Sequence, residues 1–116
     1  NVNCAAPHSF YNGVTSLGGH EAYHGNCVAF GTLIQLTLEC ADKAEFEDIQ
    51  NFCLEVGLPI TLAELGDFTD EDLHTIAKNA CVKGETIHNL AGDVTPDELY
   101  AAIIATDALG KARLGK

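Results

Sequence analysis

The chain of 116 residues has no methionine and no tryptophan, and it carries six Lys or Arg against 17 Asp or Glu. This shortage of cations leaves a formal charge of −11. It excludes the basic surfaces by which proteins hold nucleic acid or anionic membranes, and it favours solubility. No apolar run is long enough to cross a bilayer: the longest, Cys27–Leu38, has 12 residues where about 20 are needed. No basic segment followed by an apolar stretch and a cleavage site opens the sequence, so no signal peptide is expected.

Charge is also missing locally. Residues 1–37 contain one carboxylate, Glu21, and no Lys or Arg, yet three of the five histidines fall there. A near-neutral first third implies burial, under the rest of this chain or under something absent from it. The sequence opens without Met, on Asn1-Val2-Asn3-Cys4, and passes straight into an apolar, His-bearing segment. It reads as a fragment of a longer polypeptide or a chain that has lost its front.

Metal-finger patterning is missing too. The five cysteines, at 4, 27, 40, 53 and 81, form no C-x-x-C pair, and their spacings fit no zinc finger. Cys27, Cys40, Cys53 and Cys81 sit in or beside helical patterns, as buried apolar residues would. Reduced thiols in a cytosol follow from that reading.

What is present describes one globular domain, 47% hydrophobic and 20% charged. Residues 5–12 read as the end of a helix, and 13–19 (GVTSLGG) as a loop by composition. Val28–Glu39 is apolar on nearly every face and reads as a buried helix. Its β-branched residues would also suit a strand, but it is too long for one. After a break at Ala41-Asp42, Ala44–Val56 has Phe46, Ile49, Phe52/Cys53 and Val56 at helical spacing, with Gly57 as a C-terminal stop. Thr61-Leu62-Ala63-Glu64 reads as a capping box on one short turn. Thr69 caps a helix with Asp70, Glu71 and Asp72 in its first turn and an apolar stripe of Leu73, Ile76, Ala77 and Ala80, closing near Gly84. Thr95-Pro96-Asp97-Glu98 starts a last helix that runs to about Arg113 and buries Leu99 and Ile103. The predicted fold class is all-α, a helical bundle of about five helices in a single domain, 1–116.

One string within GGHEAYHG invites a specific chemistry. His20-Glu21-Ala22-Tyr23-His24 is a literal H-E-x-x-H, which on a helix puts two histidines on a zinc ion with the glutamate as general base of a peptidase. Gly18-Gly19 and Gly25 flank it, leaving barely one turn, and no third ligand follows at a recognised spacing. If His20 is set aside, His8 and His24 remain. On one straight helix their 16-residue separation would be about 24 Å, but the glycine-rich connector lets the chain turn back and bring the imidazoles together. A neutral imidazole suits Zn²⁺ or Fe²⁺. The alternative is that both are hydrogen-bonded core histidines.

Longer stretches carry a resemblance. Ala5-Ala6-Pro7-His8-Ser9-Phe10-Tyr11-Asn12-Gly13 resembles the A-A-x-H-x-x-H-N-G segment of glycerol dehydrogenases in the iron-containing alcohol dehydrogenase family. Tyr23-His24-Gly25-Asn26-Cys27-Val28-Ala29-Phe30-Gly31-Thr32-Leu33 resembles their Y-H-G-E-K-V-A-F-G-T-L. Val56–Ala63, Gly84–Asn89 and Thr95-Pro96-Asp97 match in the family's order, so the likeness covers nearly the whole chain. The resemblance implies an NAD-dependent oxidation of glycerol to dihydroxyacetone at a divalent metal, zinc or alternatively iron, held by one Asp and two His.

The His pair carries over to His8 and His24, which would face the substrate as well as the metal. The Asp ligand and the NAD-binding α/β domain belong to the family's N-terminal part, and no residue of this chain is assigned to the cofactor. A small polyol substrate, a homo-oligomeric full-length enzyme and a cytoplasmic location follow from the same resemblance. Three departures stand out. Tyr11 replaces the family's second His, Asn26-Cys27 replaces Glu-Lys, and the stretch between the two ligands is shorter by a residue or so. His20 becomes a solvated loop residue, His74 a surface residue, and His88 either a hydrogen-bonded helix-end residue or a wall of the cleft. Cys27, close to the implied metal, is expected to be open to oxidation. The remaining alternatives are a sister enzyme acting on another small alcohol or diol, a stand-alone helical metal-binding module, and the zinc peptidase.

Overall fold

The computed structural model describes residues 10, 11, 13–15, 24–80 and 95–115, with the backbone alone at His24. Every extended element among them is helical and none is a strand, as predicted. Four α-helices follow one another: α1 (His24–Leu38), α2 (Lys43–Val56), α3 (Asp70–Ala80) and α4 (Pro96–Leu114), with a 3-10 turn at Leu62–Glu64 between α2 and α3. Residues 10, 11 and 13–15 are also helical. α1 packs against α2 and α4, and α3 packs against α4.

α1 is central because two of its flanks are apolar. Cys27, Phe30 and Ile34, spaced three and four residues apart, join a core built with Phe10, Val14, Leu73, Ile76, Leu99 and Ile103. Leu33 turns the other way, into a second cluster with Phe46, Cys53 and Ile60. The polar residues of α1 are satisfied within the fold. Thr32 and Thr37 donate to the carbonyls of Val28 and Leu33 (2.8 and 3.0 Å). Thr37 also meets Thr106 of α4 at 2.8 Å. That hydroxyl pair ties α1 to α4.

The helix ends follow their local sequence. Thr95 and Glu98 exchange the two hydrogen bonds of a capping box, 3.0 and 3.1 Å, and Thr69 and Asp72 do the same at 3.0 Å each. Glu64 accepts from the backbone N–H groups of Ile60 and Thr61. Gly57, at φ 82°, ends α2 in the left-handed conformation, and Leu58 N–H closes onto Cys53 C=O at 2.7 Å.

Three expectations are corrected. Residues 13–15 are helical and not loop. Gly13 serves a close approach: a Cβ there would lie 2.8 Å from the Ile76 carbonyl oxygen. Cys40 is exposed and not buried. It occupies the left-handed position after α1, at φ 53°, where its N–H reaches Thr37 C=O and that of Ala41 reaches Leu36 C=O. This is the motif that usually takes glycine. On α2 the inward stripe is Phe46, Gln50 and Cys53. Phe52 and Val56 are 55% and 54% exposed, because α2 turns its Phe46–Cys53 side toward α1 and these two residues lie off that side. The α3 stripe of Leu73, Ile76, Ala77 and Ala80 is buried as predicted.

Candidate functional site

The site anticipated around two histidines is described in part. His8 lies outside the described residues, as do His20, Glu21 and His88. The backbone of His24 is helical and stands in the first described turn of α1, where the sequence reading placed it. Three residues on, the Cys27 side chain is fully buried, which anchors that turn to the core. Gly25 is exposed, and a Cβ added to it would meet no described atom within 4 Å.

The chain does return to this helix. Phe10, two residues after His8, packs on Phe30, six residues after His24, with ring centroids 5.5 Å apart and planes at 47°. Both rings are buried in one core with Cys27 and Val14. The segment following His8 and the first turns of α1 therefore share a single hydrophobic anchor, which is the turn-back the glycine-rich connector allows. Sequence reading missed this pair. Its signal was two aromatics at short, fixed offsets from the two histidines. Tyr11, which replaces a family histidine, is half-buried against the same cluster.

Cys27 is buried, as its helical setting predicts, and is not open to oxidation despite its nearness to the implied metal. It is inaccessible, and burial pushes its thiol above the ordinary range. It therefore stays protonated at neutral pH, where the reactive and metal-ligating form is the thiolate. Burial also raises Cys53, with a contribution from the Glu64 charge. Among the described residues, no three His, Cys, Asp or Glu side chains gather as a metal-holding group.

Beside the first turn of α1 runs a shallow groove of about 280 Å³, lined by Gly25, Val28, Ala29 and Thr32 and, across from them, Ile49 and Phe52. Val56, one turn beyond Phe52 on α2, is also exposed, and the groove adjoins the His24 turn at Gly25. His74 stands apart from this region. It is exposed, 3.3 Å from Asp70, and stacks on Tyr100 with centroids 3.9 Å apart, as a surface residue. Tyr100 donates its hydroxyl to Asp70, and that bond, more than desolvation, raises its pKa.

Comparison with known proteins gives this arrangement a context. No family model matches the chain. A glycerol dehydrogenase of Citrobacter freundii is 47% identical over 115 residues, covering 97% of this chain and 32% of that protein. A glycolaldehyde reductase of Halobacterium salinarum is 43% identical over 110 residues, 92% of this chain and 30% of the relative. A solved structure of a probable glycerol dehydrogenase from Sinorhizobium meliloti superimposes with a TM-score of 0.84 at 37% identity, covering 94% of this chain and 32% of that one. The chain thus spans about a third of the length of the curated relatives it matches. In sequence and in fold, it is a homologue of the C-terminal third of glycerol dehydrogenases.

Proposed function

We propose that this chain is the helical, metal- and polyol-binding part of an NAD-dependent glycerol dehydrogenase that oxidises glycerol to dihydroxyacetone, with His8 and His24 as metal ligands. The observation that carries the reading is the Phe10–Phe30 contact at the head of α1. It draws the chain near His8 back toward the helix that bears His24. The 47% identity to a glycerol dehydrogenase supports the same assignment.

The donor set suits the group. Two neutral imidazoles are good ligands for Zn²⁺ or Fe²⁺, and the protonated Cys27 thiol offers no competing thiolate. A divalent metal bound there would lower the pKa of a polyol hydroxyl, so that it loses its proton near neutral pH. The protein's own contribution is to hold both imidazoles on segments fixed by one core and to keep the helix behind them dry. Cys27, Phe30 and Ile34 of α1 are fully buried.

The remaining carboxylate ligand and the NAD contacts are assigned to polypeptide beyond this chain, which packs on the apolar face formed by Val28, Ala29, Phe52 and Val56. The assembled enzyme is read as a cytoplasmic homo-oligomer. No helix among the described residues is long and apolar enough to cross a membrane. The Halobacterium relative, a glycolaldehyde reductase by name, favours a second reading in which the same site serves another small alcohol or carbonyl compound. A substrate panel on the full-length protein separates the two. The chain alone, supplied with zinc, NAD and glycerol, should show no turnover, because hydride transfer needs the cofactor held elsewhere. Robust turnover would overturn this division of labour. Casein hydrolysis abolished by Glu21→Gln would instead favour a peptidase.

A further inference from the structure

The helical residues ahead of α1 meet two helices with one face. Phe10, Gly13 and Val14 stand at helical spacing, and all three are buried. Phe10 lies against Phe30 of α1, and Val14 joins the same core. Gly13 lies against α3 instead. A Cβ built there would fall 2.8 Å from the Ile76 carbonyl oxygen, 2.9 Å from its Cγ2 and 3.3 Å from its Cα. Ile76 is fully buried in the middle of α3, and α3 is itself packed on α4. In a close-packed interior, backbone held in that way does not retreat from a neighbour; the neighbour must move.

That contact bears on the two histidines. His24 belongs to α1, whose position the core fixes. His8 stands two residues before Phe10, so covalent geometry alone keeps their Cα atoms within about 7.6 Å. Where His8 can reach therefore depends on how closely the residues after it dock. Non-bonded atoms rest about 3.5 Å apart, so a methyl group at position 13 would push the segment about 0.7 Å off α3. Metal–ligand distances tolerate only about 0.2 Å. The displacement that one added methyl imposes is larger than a metal centre accepts without losing or bending a ligand.

We propose that Gly13 is a positioning residue of the metal centre. Its bare backbone lets the segment that bears His8 rest directly on α3, and this close docking sets the reach of His8 toward the metal it shares with His24. The inference rests on the assignment of those two histidines as ligands, and it adds α3 to the parts of the fold that shape the site. Alanine, the next smallest residue, already drives an atom into the Ile76 carbonyl. The role differs from ordinary close packing in one respect. A glycine kept only for packing costs stability when it is replaced, whereas one that positions a ligand costs metal affinity even in molecules that stay folded.

The test is zinc binding to the chain by calorimetry, with folding followed by circular dichroism and urea. Gly13→Ala should weaken zinc binding about tenfold, the low end of what a disturbed support costs a metal site. Asp107→Ala is the comparison, because it breaks the bond that the Leu62 N–H donates across the joint between α4 and the 3-10 turn. It should lower the urea midpoint and leave zinc affinity unchanged. The visible absorption of Co²⁺ bound in place of zinc, which follows ligand geometry, should change in Gly13→Ala and not in Asp107→Ala. Phe10→Leu keeps the docked face apolar but gives up the ring contact with Phe30. It should weaken zinc binding too, and it carries the test if Gly13→Ala proves unfolded. Equal affinity in the native chain and folded Gly13→Ala would overturn the proposal and leave His8 and His24 as ligands. Equal weakening in Gly13→Ala and Asp107→Ala, or unchanged affinity in Phe10→Leu beside an unfolded Gly13→Ala, would do the same. A native chain that binds no zinc would overturn the ligand assignment itself, and this inference with it.

Discussion

Single side chains in this protein are often chosen for what approaches them and not for the local conformation they favour. Gly110 sits inside α4, where glycine costs helix stability relative to alanine. A Cβ there would fall 1.9 Å from the Ile60 carbonyl oxygen, so the bare backbone is required by the strand of chain leading into the 3-10 turn. Gly110→Ala should therefore destabilise the fold by about 3 kcal/mol despite improving helix propensity, at the upper end of overpacking costs. Urea unfolding measures this, and a neutral or stabilising effect would contradict the packing described. Gly13 obeys the same logic against Ile76. Neither glycine was legible in the sequence, because composition marks glycine as a loop former and carries no trace of a partner far along the chain, Ile60 for Gly110 and Ile76 for Gly13. Cys40 is the converse case: a position that wants glycine holds a residue with a side chain, at φ 53°.

At the scale of elements, what was legible was what is local. The T-P-D-E box, the Thr69 cap, the Gly57 stop and the α3 stripe depend on residues within one or two turns of each other, and all appear as read. The joints between elements depend on distant residues and were not legible. The clearest is Asp107. Buried on α4, it accepts the Leu62 backbone N–H at 2.8 Å and faces Lys111 at 3.2 Å. The lysine is half exposed, so that ion pair contributes little, whereas the bond to the buried backbone carries the joint. Asp107→Ala leaves the Leu62 N–H unpaired and should cost about 2 kcal/mol, with Lys111→Ala costing much less. Equal losses in chemical denaturation would mean that the ion pair, and not the backbone bond, holds the 3-10 turn to α4. The outward turn of Phe52 and Val56 was also hidden, since helical spacing cannot say which of two apolar stripes meets a neighbour. Gln50 took the inward place instead.

For the molecule as a whole, the all-α class and the helix order were readable from patterning, but the candidate site was readable only through resemblance. Spacing left His8 and His24 as either ligands or core residues, and the Phe10–Phe30 contact that draws their segments together is a tertiary fact. The pH response of the fold follows from its buried thiols. Cys27 and Cys53 have raised pKa values in the folded chain, so above the unfolded thiol range of about 8.5 the unfolded state gives up protons that the native state retains. Their stabilising contribution is complete below that pH and is lost as pH rises through the folded values. Denaturant midpoints should fall above pH 8.5 in the native chain and fall less in a Cys27→Ala, Cys53→Ala variant; identical slopes would contradict the burial effect. The most direct test of the central claim is zinc affinity, measured by calorimetry on the native chain and on three single variants. With two of three ligands present, the chain should bind zinc weakly, His8→Ala and His24→Ala should each abolish binding, and His20→Ala should leave it nearly unchanged. Loss of zinc binding in His20→Ala with retention in His8→Ala would contradict the assignment and return the H-E-x-x-H string to the centre of the site.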